Sequence, residues 1–366
     1  MKKAIIYGEF IETSSTGIAY VNSVLEESII ELKYQVTKIY EPRSKDYTFY
    51  EKRVIKKLHF FSFIKVIFKL IFLKAHNISF LTLSMGNLGL LKTLIIQFFL
   101  SIKTKRLYLY IHRGDLNKHY KKSTYKKIII NLILRNSFKI IFLSKKIKDD
   151  FSIKVFDKKI IIIPNSLSKE DSLVSKKIFE RKKNKIVNKR KKQINLIFCG
   201  NIQKEKGIYN IIHSILHINK TQNQVKLNLD IYGIKFEEIP KNNKFINYKG
   251  RLSKENRLKI MSKYDFLITA SLTEGLPMTI IECLALGIPF ITTKVGAISD
   301  LLVKNYPYIC THDTKSIIKI LNKIIYDFYN KKEYLNKLII KSNAIYNKKF
   351  KYDNYISYIQ EYIIDV

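Results

Sequence analysis

The sequence predicts an α/β fold of two Rossmann-like domains facing each other across a cleft, and three observations carry that expectation. Short apolar runs alternate with helical stretches along most of the chain. The alternation comes in two series separated by a strongly basic segment. Glycine- and proline-bearing motifs follow directly on the ends of apolar runs. Strands alternating with helices imply parallel sheets covered on both faces. At 366 residues the chain has the length of two domains.

Taken in order, the first series of expected strands is Ala4–Tyr7, Ser79–Leu83, Leu107–Ile111, Lys139–Leu143 and Ile160–Ile163. The pattern dissolves after Asn165. From Lys176 to Lys192 ten Lys/Arg are opposed only by Glu180, which reads as an exposed linker. The second series is Leu196–Cys199, Leu227–Tyr232, Phe266–Thr269 and Phe290–Thr292. Tyr352, Ile356, Ile359 and Ile363 then stand at helical spacing. The expected organisation is an N-terminal domain over 1–175, a linker over 176–192, a C-terminal domain over 193–345, and a last helix over 346–366.

Hydrophobic residues at 46% and aromatics at 13% supply ample core. Lys+Arg 67 against Asp+Glu 30 gives a net charge of +37, which favours polyanionic partners: nucleic acid, phosphorylated ligands or anionic lipid headgroups. Outside the linker the basic residues are dispersed, and there is no zinc finger or RNP-like aromatic motif, so nucleic acid is not the expected partner. Cys199, Cys283 and Cys310 are too widely spaced for a disulfide framework or a C-x-x-C metal site, as in a reducing compartment. The apolar run Ala4–Tyr7 is too short for a signal peptide core. Between Val54 and Leu73 lysines interrupt every apolar run, well short of the ~20 residues that span a bilayer. A cytoplasmic protein, soluble or peripheral, is expected.

The most informative motif is Glu274-Gly-Leu-Pro-Met-Thr-Ile-Ile-Glu282, directly after an expected strand. Pro277 suits the first turn of a helix, where its missing N–H costs nothing. Gly275 permits close backbone approach. The free N–H groups at such a helix start, around Met278 and Thr279, suit a diphosphate. At a helical rise the two glutamates would stand on the order of 12 Å apart, bracketing that diphosphate. Lys206 follows the first strand of the second series and precedes Gly207 at a helix start, a position fit for phosphate. Thr16 stands before Gly17, either as a helix cap or as part of a site. His112 follows a strand end, and is either structural or functional there.

The span from Glu274 to Glu282 resembles the E-x7-E signature of the family 4 glycosyltransferases, retaining enzymes of GT-B fold that use nucleotide sugars. The segment Gly200-Asn201-Ile-Gln-Lys-Glu-Lys206-Gly207 is similar to the family's G-R-L-x-x-x-K-G, with Asn201 where arginine is usual. Ile163-Pro164-Asn165-Ser166 resembles its I-P-N-G, with Ser166 for glycine, and Gly287-Ile-Pro289 with Gly296 resembles its G-x-P and later glycine. The loop from Gly8 to Gly17 and the H-x-G pattern His112-Arg113-Gly114 also have family counterparts. Ser144 matches a family position of structural role.

The resemblance implies transfer of a sugar from a UDP- or GDP-sugar to a lipid-linked saccharide, in bacterial surface polysaccharide assembly (capsule, O-antigen or exopolysaccharide). Alternatives are a soluble or protein acceptor, or an inactive nucleotide-sugar-binding relative. Glu274, His112 and Lys206 would be catalytic. Gly17, Asn201, Lys206, Gly275, Leu276, Pro277, Met278, Thr279 and Glu282 would hold the donor. Thr16, Gly17, His112 and Arg113 would lie on the acceptor side. The chain has no Asp-x-Asp, so no metal and no other cofactor is expected. The Phe- and Lys-rich stretch Val54–Leu73 is either a core helix with snorkelling lysines or an element touching an anionic membrane. The latter would place the protein peripherally on the inner face of the cytoplasmic membrane.

Overall fold

The computed structural model describes residues 1–14, 16–41, 52–151, 154–183, 192–222, 225–235, 237–239, 243–253 and 255–366, with residues 52–60, 154–155 and 183 in backbone only. The chain forms two compact units, Met1–Ser166 with Asp353–Val366, and Leu167–Tyr352.

The first unit begins with β1 (Lys3–Gly8), α1 (Gly17–Glu31), β2 (Gln35–Tyr40), α2 (Lys52–Ile71), β3 (His76–Thr82) and α3 (Asn87–Lys103). It continues with β4 (Thr104–Ile111), α4 (Leu116–Lys122), α5 (Thr124–Arg135), β5 (Lys139–Phe142), α6 (Lys145–Asp150) and β6 (Ile160–Ile162). Its six strands run in the order β2-β1-β3-β4-β5-β6, every pairing parallel. The strands are Ile- and Leu-rich and covered by helices, as a parallel sheet requires. Thr16, Ser123 and Ser144 cap α1, α5 and α6 through their hydroxyls, which accept N–H groups of the first turns. Ser144 thus has the structural role expected of it.

The second unit begins with α7 (Lys169–Lys183), β7 (Gln193–Cys199), α8 (Ile208–Thr221), β8 (Lys226–Tyr232), β9 (Ile246–Tyr248), α9 (Arg257–Met261) and β10 (Phe266–Ile268). It continues with α10 (Met278–Leu286), β11 (Phe290–Thr293), α11 (Ile298–Leu301), β12 (Ile309–Cys310), α12 (Thr314–Asn330) and α13 (Lys332–Lys349). The strand order is β12-β11-β10-β7-β8-β9, again all parallel. The order reverses between β7 and β10, which are neighbours although two strands lie between them in sequence. Open α/β sheets bind ligands at that point, outside the carboxyl ends of the strands.

Every expected strand is present, and β2, β9 and β12 are additional. β2 has a mixed, mostly half-buried pattern, and β9 and β12 have only three and two residues, too short for periodicity to reveal. The basic segment differs from expectation. Residues 176–183 belong to α7, not to an exposed linker, because Phe179 is buried and anchors the helix against α10. The remainder, 184–191, lies outside the described residues.

α14 (Tyr352–Ile359) and the turn after it complete the first unit. The Tyr108 hydroxyl donates to the Ile363 carbonyl at 3.0 Å, and the Tyr110 and Tyr355 hydroxyls meet at 3.1 Å. Ile359 and Ile363 are fully buried. Ile359→Ala therefore removes core volume from the first unit, and should cost about 2–5 kcal/mol. A urea titration following that unit's unfolding transition should show a lower midpoint.

Candidate functional site

In the second unit the loops after β7 and β10 lie side by side at the reversal of strand order. The first carries Gly200, Asn201 and a short 3-10 turn, Lys204–Lys206, closed by Gly207. The second, Ala270–Pro277, has neither helix nor strand hydrogen bonding of its own. Contacts from both sides hold it. The Leu272 N–H donates to the Glu205 carbonyl at 2.8 Å, and His312 Nδ1 donates to the Ala270 carbonyl at 2.5 Å. From the other flank the Thr293 hydroxyl donates to the Ser271 carbonyl at 2.6 Å, and the Ala297 N–H to the Gly275 carbonyl at 2.9 Å. Two glycines make these approaches possible. A Cβ on Gly207 would stand 2.4 Å from the Ala270 oxygen, and one on Gly296 would stand 2.0 Å from the Glu274 oxygen. Both have positive φ, at 74° and 56°, which side chains rarely adopt.

Clamped in this way, the loop presents Glu274 to Lys206, whose Nζ donates to Oε1 at 2.7 Å. The ammonium has three N–H donors, so one engages the carboxylate and two remain to meet an anion. Beside it α10 begins. Pro277 is its N-cap, one position before the first turn where the sequence suggested it, and has no capping side chain. The N–H groups of Met278 and Thr279 find no acceptor among the described residues. An uncapped helix start next to a lysine is an anion site. Leu276 is buried, so its side chain belongs to the core and only its backbone lines the loop.

Glu282 sits little more than one turn into α10. Because Glu274 is on irregular loop, the helical rise behind the 12 Å spacing does not apply between the two glutamates. The Glu282 carboxylate is buried and accepts from Arg257 Nε at 2.7 Å, while Arg257 Nη2 donates to Asp171 on α7. Burial pushes the Glu282 carboxyl above the usual range and the Arg257 guanidinium opposes that shift. Arg257 and Asp171 escape a reading of the sequence because each lies on a different element from Glu282 and neither sits in a recognisable motif.

The first unit carries two groups of side chains, one after β1 and one after β4. Thr16 accepts from the Ala19 N–H, and its hydroxyl donates to the buried Glu9 carboxylate at 2.7 Å. Ser14 donates to the same oxygen at 2.8 Å. Glu9, not singled out from the sequence, thereby organises the loop that ends at Gly17, and Thr16 has a structural role there. His112 is buried and stacks on Tyr110 at 5.2 Å with rings nearly parallel. Its Nε2 has no hydrogen-bond partner among the described residues. Burial lowers its pKa to about 4, so the ring is neutral at physiological pH. Arg113 is held by Asp115 in a bidentate pair at 2.8 and 2.6 Å. Among the described residues no three His, Cys, Asp or Glu lie close enough to hold a metal ion.

Removing one member of the buried ion pair exposes its energetics. Arg257→Leu leaves Glu282 buried without its cation, a change worth about 3–5 kcal/mol. The folded-state pKa of Glu282, already raised, then rises further. A raised carboxyl pKa gives stability that is present at low pH and lost as pH rises through the folded value. The deficit of Arg257→Leu should therefore be larger at pH 8 than at pH 5, read as melting temperature against pH. His112 works in the opposite direction. Its depressed pKa gives stability above pH 6.5 that is lost as pH falls toward about 4. His112→Phe should flatten the acid limb of the first unit's stability curve between those values.

Residues 179–342 match the family model of glycosyl transferases group 1. Two curated relatives are similar in sequence. The GtfA subunit of the UDP-N-acetylglucosamine–peptide N-acetylglucosaminyltransferase of Streptococcus agalactiae is 28% identical over 120 residues, 31% of this chain and 23% of that protein. The uncharacterized glycosyltransferase MJ1178 of Methanocaldococcus jannaschii is 27% identical over 222 residues, 60% of this chain and 57% of that protein. The matches thus span less than two thirds of either relative. Among solved structures, Anabaena HepE in complex with UDP-glucose superimposes with a TM-score of 0.67 at 14% identity, covering 99% of this chain and 100% of that one. The similarity to glycosyl transferases group 1 is thus confined to residues 179–342, and the two Rossmann-like units give the chain the GT-B fold.

Proposed function

We propose that this chain is a retaining glycosyltransferase of family 4 that moves a sugar from a nucleoside diphosphate sugar to a lipid-linked saccharide, in the assembly of a bacterial surface polysaccharide. The observation that carries the proposal is the Lys206–Glu274 pair beside the uncapped start of α10, at the point where the second sheet reverses its strand order. The group 1 domain match over residues 179–342 and the likeness to a UDP-glucose-bound structure support a nucleotide-sugar donor.

In this reading the diphosphate lies across the α10 start, meeting the Met278 and Thr279 N–H groups and the remaining donors of Lys206. These groups stabilise the negative charge that develops as the bond between the anomeric carbon and the β-phosphate oxygen breaks. The acceptor hydroxyl attacks the same face of the sugar, and its proton passes to the departing phosphate oxygen. No protein nucleophile is needed, and no metal, since Lys206 and the helix start supply the positive charge. Glu274 orients the donor sugar while anchoring Lys206. Glu282, aligned by Arg257, takes the ribose hydroxyls. Asn201, Gly275 and the Leu276 backbone line the donor. In the first unit Thr16, Gly17, neutral His112 and Arg113 are assigned to the acceptor. The protein would work in the cytoplasm at the inner face of the membrane. A protein acceptor is the second reading, favoured by the relative named as a peptide N-acetylglucosaminyltransferase subunit.

The two glutamates should separate kinetically. Glu282→Ala should abolish thermal stabilisation by the matching UDP- or GDP-sugar. Glu274→Ala should retain most of that stabilisation and lose turnover by about a hundredfold or more. Equal and small effects of both substitutions would refute these roles.

A further inference from the structure

The outward face of α8 carries a pair of side chains that the donor site does not use. α8 turns all its isoleucines inward, where they are buried against β8 and α12. On the opposite face His213 and His217 are both exposed, one helical turn apart. The sequence has seven histidines. Four of the others have a place in the fold. His76 bonds to Thr37 and to the Lys74 carbonyl, and His112 stacks on Tyr110. His119 pairs with Asp115, and His312 holds the Ala270 carbonyl. The rings of His213 and His217 have no hydrogen bond or ion pair among the described residues.

Helix geometry makes this pair a chelate. Residues at i and i+4 stand above one another, with Cβ atoms roughly 5–6 Å apart. Imidazole nitrogen binds zinc at about 2.0–2.1 Å, so two rings on one face can close on a single ion. The helix already fixes both residues, so little freedom is lost on binding. We propose that His213 and His217 form a surface site for a first-row divalent cation that favours imidazole nitrogen: zinc, nickel or copper. A chain of net charge +37 repels cations at long range, so this site holds its ion by coordination and not by accumulated charge. Magnesium and calcium, which take oxygen ligands, do not suit it. Among the described residues no third His, Cys, Asp or Glu joins the pair. The remaining positions on the ion are left to water or to a donor from another molecule. The ion clips one turn of α8, the helix that follows Lys206 and Gly207, and takes no part in sugar transfer.

Calorimetric titration of the full chain, kept reduced, with zinc chloride tests the site, with magnesium chloride as the comparison. Zinc should bind at a single site and raise the melting temperature, while magnesium should do neither. H213A and H217A should each lower zinc affinity about tenfold or more, since loss of even an outer-shell partner costs roughly 10–100-fold. H217A/K220H keeps the number of imidazoles but sets them two turns apart, about 10 Å along the axis, and should bind no better than H217A. All three variants, altered only at exposed positions, should keep the metal-free melting temperature and the nucleotide-sugar thermal shift of the wild type. Loss of the metal site is thereby distinguishable from failure of the donor site. An equal response to magnesium, no zinc binding by the wild type at millimolar concentration, or zinc binding undiminished in H213A or in H217A/K220H would overturn the proposal.

Discussion

The second unit depends on the confinement of one irregular segment. Ala270–Pro277 makes no ladder and no helix, so its polar backbone must be satisfied by others. Glu205 and His312 do so on one flank, Thr293 and Ala297 on the other. Gly207 and Gly296 allow the close approaches that make those bonds short. The result is a carboxylate fixed on an otherwise unstructured loop, within hydrogen-bond reach of a lysine from a different crossover. Side chains placed before substrate arrives need no reorganisation during reaction, which gives electrostatic catalysis its strength.

Acidic residues are few in a chain of net charge +37, and several are committed to interior tasks. Glu9 collects two hydroxyls at the end of β1. Glu282 and Asp171 share one guanidinium. Burial raises the cost of each charge, and each is offset by a specific donor rather than by bulk solvent. The cationic excess is left to the surface.

Much of this was legible from residues alone, for identifiable reasons. Strands such as Leu196–Cys199 and Leu107–Ile111 are continuous apolar runs because both faces of a parallel sheet are covered. The Glu274–Glu282 segment stood out because glycine and proline at a strand–helix junction have few other uses, and Lys206 because of where it sits on a strand end. Other features depended on partners distant in sequence. Nothing near Glu282 announces Arg257, and nothing near Thr16 shows that Glu9 turns back to it. The ten basic residues from Lys176 to Lys192 suggested solvated linker, yet Phe179 carries enough apolar surface to hold the first of them in a helix. The twelve-ångström spacing rests on the rise of a helix, which does not apply across a loop.

The return of residues 353–366 to the first unit bears on how the chain is made. The second unit is a continuous piece of chain, whereas the first is interrupted by it. Tyr108 and Tyr110 are synthesised early, but the groups that pair with their hydroxyls lie in the last stretch of sequence. At ribosomal rates of about 5–20 residues per second, the first unit waits roughly ten to forty seconds for its closing segment. During that interval the second unit can finish folding, while the first holds an unfilled groove beside its sheet. The order of assembly is thus the reverse of the order of synthesis, and a nascent chain of this protein is a natural client for chaperones that shield apolar surface.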